Sequence, residues 1–198
     1  MTKNSDLHGN VPDESKVALL IIDMICDFEF EDGEKLFRYA ARAAENIAQL
    51  KARAEKEKVP VVYVNDNFGK WQSDFKKLLA HSLKKQHRGH SIAERLKPKT
   101  DNYFVLKPKH SGFYSTTLDV LLEYLGAETL ILTGVATDIC ILFTANDAYM
   151  RDFHLIVPRD CVAANTEKAN RDTLKYMEKV LGVDTAVSTR IDFKKLKK

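Results

Sequence analysis

Six consecutive apolar residues, Val17-Ala18-Leu19-Leu20-Ile21-Ile22, stop abruptly at Asp23. A strand with one face in water alternates apolar and polar side chains, so an unbroken run marks a strand covered on both faces. Such a strand needs helices above and below it, and the chain supplies them. Glu34 to Lys58 is rich in Ala, Leu, Glu and Lys, and sets Leu36, Ala40, Ala43, Ala44, Ile47 and Leu50 on one stripe. Pro60 closes it, and Val61 to Val64 is the next strand. Further strands are predicted over Tyr103–Leu106, Thr129–Thr133, Phe153–Val157 and, as a short sixth, Thr185–Ser188. Helices are predicted over Ser73–Leu83, Thr117–Leu125 with Gly126 closing it, Asp138–Arg151 and Glu167–Val180. Alternating strands and helices specify a three-layer α/β/α sandwich around a parallel, six-stranded sheet.

A length of 198 residues fits one domain. Residues 1–15, polar and carrying Gly9 and Pro12, are expected to be a flexible arm. Residues 16–193 form the domain, and 194–198, four lysines around Leu196, a solvated basic tail. Residues 67–100, rich in Lys and His, are expected to hold the Ser73–Leu83 helix and a surface loop. Lys and Arg number 31 against 28 Asp and Glu, a net charge of +3. So small an excess points away from nucleic acid and from anionic membranes, and leaves a small molecule as the expected partner. The longest apolar run falls far short of the roughly 20 residues that span a bilayer. The N-terminus has no apolar core of a signal peptide. Three cysteines leave one over in any pairing, so no disulfide framework is expected, and the cytoplasm is the expected compartment.

Phosphate-binding and serine-hydrolase signatures are missing. No two of the eight glycines are separated by a single residue, which removes G-x-G-x-x-G. The one Gly-Lys pair, Gly69-Lys70, is followed by Trp71 rather than Ser or Thr, and G-x-S-x-G does not occur. Chemistry in open α/β sheets collects beyond the carboxyl ends of the strands. There the chain offers Asp23, Asn65 and Asp66, Lys107, and the turn Gly134-Val135-Ala136-Thr137-Asp138-Ile139-Cys140. A thiol in the first turn of a helix, near an ammonium, is expected to have a lowered pKa. Asp23 could take its proton, and the N–H groups of Ala136 and Cys140 could face a developing oxyanion. The same residues also have plain structural uses: Cys as a small core residue, Asp as a turn former, Lys as a solvated charge. On residue type alone the two readings stand level.

Three segments tip that balance. Leu20-Ile21-Ile22-Asp23-Met24-Ile25-Cys26-Asp27-Phe28 resembles the opening motif of the isochorismatase-like cysteine hydrolases. Lys107-Pro108-Lys109-His110-Ser111-Gly112-Phe113, with Thr117-Leu118, resembles their lysine segment. Gly134 to Cys140, with Thr144-Ala145-Asn146-Asp147-Ala148, resembles their nucleophile segment. The three occur in the family's order and cover about residues 17–165. The resemblance implies a flavodoxin-like fold, a catalytic triad of Asp23, Lys107 and Cys140, and a cis peptide at Val135–Ala136 that would aim the Ala136 N–H at the oxyanion. It also implies assembly into dimers or tetramers.

Departures from the family pattern bear on the substrate. Isochorismatases proper tend to lack the cysteine and cleave a vinyl ether, so Cys140 favours hydrolysis of a small amide or related C–N bond through a thioester. Nicotinamidases carry Asp-x-His after the second strand to hold a metal; this chain has Asp66-Asn67-Phe68 there. His87 and His90, three apart in a basic loop, are expected to be solvated. No metal and no cofactor are therefore expected. Phe28, Asp66, Trp71 and Phe113 are the expected substrate-binding residues. The alternatives are a nicotinamidase- or isochorismatase-type hydrolase of ring substrates, and a non-catalytic binding module with Cys140 buried.

Overall fold

The computed structural model describes residues 14–69 and 74–197. Most of the expected flexible arm, the start of the Ser73–Leu83 helix, Trp71 and Lys198 lie outside the described residues. Six parallel strands form the sheet: β1 (Val17–Ile22), β2 (Val61–Asp66), β3 (Tyr103–Lys107), β4 (Thr129–Val135), β5 (His154–Ile156) and β6 (Val162–Ala163). Their order is β3-β2-β1-β4-β5, and β6 pairs with β4 beyond the end of β5. Every residue of β1 is fully buried. Its side chains alternate between two cores, Leu19 and Ile21 into one and Leu20 and Ile22 into the other.

The first core lies under α1 (Gly33–Lys56), whose whole predicted stripe is buried. The second is covered by α4 (Leu118–Leu125), α5 (Leu142–Tyr149) and α6 (Glu167–Leu181). Local signals account for the ends of these helices. Thr166 caps α6 by accepting the Ala169 N–H at 3.0 Å, and Gly182 and Gly126 stop α6 and α4 in the left-handed region. The short helix α2 (Phe75–Ser82) lies within the helix expected over Ser73–Leu83, and a second, α3 (His90–Arg95), forms in the stretch expected to be a surface loop.

Two expectations are corrected. The sixth strand is Val162–Ala163, not Thr185–Ser188. Asp184 makes a single bridge to Ile156, and Asp160 then holds Ser188 through its N–H (2.8 Å) and its hydroxyl (2.7 Å), turning the chain into a 3₁₀ turn over Ser188–Arg190. The expected boundary between domain and basic tail, after residue 193, falls inside a helix, while Lys194, Lys195 and Lys197 are exposed. A last helix, α7 (Phe193–Leu196), is capped by Asp192 and buries Phe193 beneath the Arg53 guanidinium, 5.6 Å from the ring centre. Lys197 Nζ then donates to the Glu57 carbonyl at 2.7 Å. At the other end Ser15 is buried and its N–H bonds the Leu125 carbonyl at 2.8 Å.

Candidate active site

The strand order reverses between β1 and β4, and the crevice at such a switch point opens beyond the carboxyl ends of the strands. Asp23 follows β1 directly, with a positive φ of 54° that turns its carboxylate back over the sheet. Its N–H bonds the Val64 carbonyl at 2.9 Å, and its Oδ1 accepts the Asp66 N–H at 2.7 Å. Lys107 ends β3, paired in register with Asp66 of β2. It is fully buried, with Nζ 2.9 Å from Asp23 Oδ2 and 3.6 Å from Asp66 Oδ2.

Cys140 comes from beyond β4. Gly134 has φ +114°, and a Cβ there would sit 2.0 Å from the Ile22 carbonyl oxygen. Glycine thus lets β4 close on the end of β1, which sets the following turn beside Asp23. The Val135–Ala136 peptide is cis, and Thr137–Ile141 then forms a π-helical turn, with the Ile141 N–H bonding the Ala136 carbonyl at 3.1 Å. Insertions of this kind are frequent at functional sites. The expected helix over Asp138–Arg151 is therefore a π turn followed by α5. Cys140 Sγ accepts from Lys107 Nζ at 3.6 Å, and its thiol hydrogen-bonds the Asp23 carboxylate.

The charges around the thiol revise one expectation. Burial and the neighbouring Asp23 carboxylate push the Cys140 thiol pKa up; Lys107 and its hydrogen bond act in the opposite direction without reversing the shift. Burial also raises Asp23, against the pull of Lys107. For Lys107, burial disfavours the charge, but Asp23, Cys140 and Asp66 outweigh it and the pKa rises. These directions favour a protonated thiol hydrogen-bonded to Asp23, with the Lys107 ammonium beside them. The sequence expectation of a lowered thiol pKa counted the lysine and the helix end, but not the desolvation or the acid.

Two threonines fix the turn. Thr144 Oγ1 donates to the Cys140 carbonyl at 2.7 Å and accepts the Gly112 N–H at 3.0 Å, tying the Cys140 turn to the segment that follows Lys107. Thr137 Oγ1 donates to Asn170 of α6 at 2.5 Å. Asn170 carried no sequence signal, since nothing in an amphipathic helix marks one polar residue as a support for a distant turn.

The expected substrate contacts separate. Asp66 is at the site, engaged with Lys107 and with the Phe68 N–H (2.6 Å to Oδ1). Phe28 and Phe113 are core residues, and neither offers an exposed ring as a substrate platform. Phe28 is fully buried against Phe30 and Phe37 in the core under α1. Phe113 is buried in the opposite core, beneath the Arg151 guanidinium at 4.7 Å. Phe30, Phe68, just past Asp66, and Tyr114 are exposed aromatics close to these residues in sequence. Asp27, His81 and His87 converge, the nitrogen and oxygen atoms they offer lying within 4.8 Å of one another. His87 and His90, both expected to be solvated, are part-buried: His87 Nε2 is buried, and His90 Nδ1 bonds the Leu83 carbonyl at 2.9 Å.

The isochorismatase-domain family model matches residues 17–188, from the first residue of β1 to the 3₁₀ turn. This chain belongs to the isochorismatase family. As an isochorismatase-family hydrolase, it is 41% identical over 174 residues to YaaI of Bacillus subtilis, described as an isochorismatase family protein, covering 88% of this chain and 95% of that one. It is 34% identical over 94 residues to the ureidoacrylate amidohydrolase RutB of Methylobacterium radiotolerans, a match spanning 47% of this chain and 36% of that one. Among solved structures, N-carbamoylsarcosine amidase from Thermoplasma acidophilum superposes with a TM-score of 0.69 at 28% identity, covering 89% of this chain and 99% of that one. Among the described residues no helix is long and apolar enough to cross a membrane.

Proposed function

We propose that this protein is a cysteine hydrolase that cleaves a small-molecule amide or carbamoyl C–N bond through a covalent thioester. The observation that carries the reading is the contact set of Lys107 Nζ, 2.9 Å from Asp23 Oδ2 and 3.6 Å from Cys140 Sγ, in the crevice beyond β1 and β4. Asp23 takes the thiol proton as sulfur attacks the carbonyl carbon, so the thiolate forms only as it is used. Lys107 offsets the negative charge that results. The N–H groups of Ala136 and Cys140 receive the oxyanion of the tetrahedral intermediate. When the intermediate collapses, the C–N bond breaks and the leaving amine takes the proton from Asp23. Water, deprotonated by Asp23, then attacks the thioester carbonyl; the C–S bond breaks, the acid product leaves, and Asp23 returns its proton to the Cys140 sulfur. The names of two relatives, an amidase and an amidohydrolase, support C–N hydrolysis on carbamoyl or ureido groups.

A panel of small amides, N-carbamoyl compounds and lactams, assayed for released amine or ammonia, tests the reading. Turnover is expected for at least one class, with an acyl adduct on Cys140 seen by mass spectrometry after a rapid quench. Cys140→Ala should abolish turnover with the circular dichroism unchanged. Near wild-type turnover in Cys140→Ala, or slow and equal alkylation of all three cysteines, would return the chain to a binding module.

A further inference from the structure

We infer that Asp27, His81 and His87 form a binding site for a divalent transition-metal ion of the zinc class, separate from Asp23, Lys107 and Cys140. The site joins α2 to the loop after β1. His81 lies in the last turn of α2 with Nε2 2.9 Å from Asp27 Oδ2. The His87 ring lies 4.3 Å from that of His81, centre to centre, and its Nε2 is buried with no hydrogen-bond partner. A buried ring nitrogen without a partner carries a desolvation cost that a ligand would remove.

The surroundings are built to hold these groups still. The other oxygen of Asp27, Oδ1, accepts the Glu29 N–H at 3.0 Å, which fixes the carboxylate with Oδ2 toward the imidazoles. The Gly89 N–H bonds the Asp27 carbonyl at 2.9 Å, and a Cβ on Gly89 would sit 1.9 Å from the Cys26 carbonyl oxygen. Only glycine permits that approach, which brings His87 to Asp27. Arg88 is engaged by the Phe28 carbonyl (2.5 Å) and Glu29 (3.4 Å), while Lys84 and Lys85 are exposed to screening solvent.

The donor set is two imidazoles and one carboxylate, which suits zinc-class ions with water in a fourth position. Ligands of a tetrahedral zinc lie about 3.3 Å apart, given bonds of about 2.0–2.1 Å. Donor atoms already within 4.8 Å reach that spacing by small ring rotations. Binding takes His81 Nε2 and Asp27 Oδ2 out of their mutual contact and turns both toward the ion.

The test uses the full chain, stripped with chelator and titrated with Zn²⁺ by calorimetry and with Co²⁺ by visible absorption. One ion per chain is expected, with a tetrahedral cobalt spectrum. His87→Ala and His81→Gln should each weaken binding by at least about 100-fold, and His90→Ala and Asp66→Asn should leave it intact. Circular dichroism of each variant separates lost ligands from lost fold. No saturable binding at micromolar zinc, or binding that survives His81→Gln and His87→Ala, would overturn the assignment. Binding abolished by Asp66→Asn would also overturn it, by moving the ion to the crevice beside Lys107. None of these readouts uses turnover, so their failure is independent of the proposed hydrolase activity.

Discussion

At the scale of single residues, Asp23 and Lys107 act on the same thiol with opposite sign. Asp23 raises the Cys140 pKa through charge and hydrogen bonding, while Lys107 lowers it. Asp23→Asn should therefore move the pH midpoint of iodoacetamide labelling at Cys140 downward, even as turnover falls by at least about 100-fold for want of a proton acceptor. Lys107→Met should move the midpoint upward. Shifts of the same sign in both variants, or none, would contradict the coupled arrangement. In the wild type Cys140, part-exposed, should still label before Cys26 and Cys161, which are buried out of reach of the reagent. Because burial raises the Asp23 pKa, the acid limb of kcat/KM should lie above the ordinary carboxylate range, near 4. On the proposed mechanism, activity should be lost as pH falls through that raised value, since a protonated Asp23 cannot accept from sulfur.

At the scale of elements, the site depends on how closely two strand ends approach. Gly134 and Gly126 both have positive φ, but an added Cβ meets the Ile22 carbonyl at the first and nothing within 4 Å at the second. Gly126→Ala should cost about 1 kcal/mol, the price of a left-handed cap without glycine. Gly134→Ala adds a backbone clash and should cost at least about 3 kcal/mol, with turnover lost in whatever remains folded. Urea unfolding of the two variants measures the difference; equal losses would mean that the β1–β4 approach can relax. The π turn after β4 belongs to this scale too. Thr137 and Thr144 pin it from α6 and from the Gly112 loop, so its shape is set by contacts 32 or 33 residues away in sequence.

At the scale of the whole molecule, the sheet divides the interior into two cores that share no side chain. Ile47 of α1 is fully buried in one and Leu122 of α4 in the other. Each should lose about 2–5 kcal/mol on truncation to Ala, and the double variant should lose the sum to within about 0.5 kcal/mol. Marked non-additivity in urea unfolding would show that strain crosses the sheet. The division itself was legible in the sequence. The run Val17–Ile22 allows no solvent-facing side, and the stripe on Glu34–Lys58 required a core beneath it. Asp23, Lys107 and Cys140 could also be placed at strand ends before any fold was seen, because parallel topology sends every such residue to one rim. What only the tertiary structure decided were quantities that depend on several segments at once. The direction of the Cys140 pKa is set by depth of burial and by a carboxylate 117 positions earlier in the chain. Phe28 and Phe113 are core rather than rim because the two faces of the sheet close over them. His81, not His90, joins His87 because Gly89 docks on Cys26 and Asp27, and spacing along a chain carries no record of such an approach. Periodicity determines which face of an element is buried, since each element repeats its own geometry; what stands opposite that face is fixed only when the elements pack.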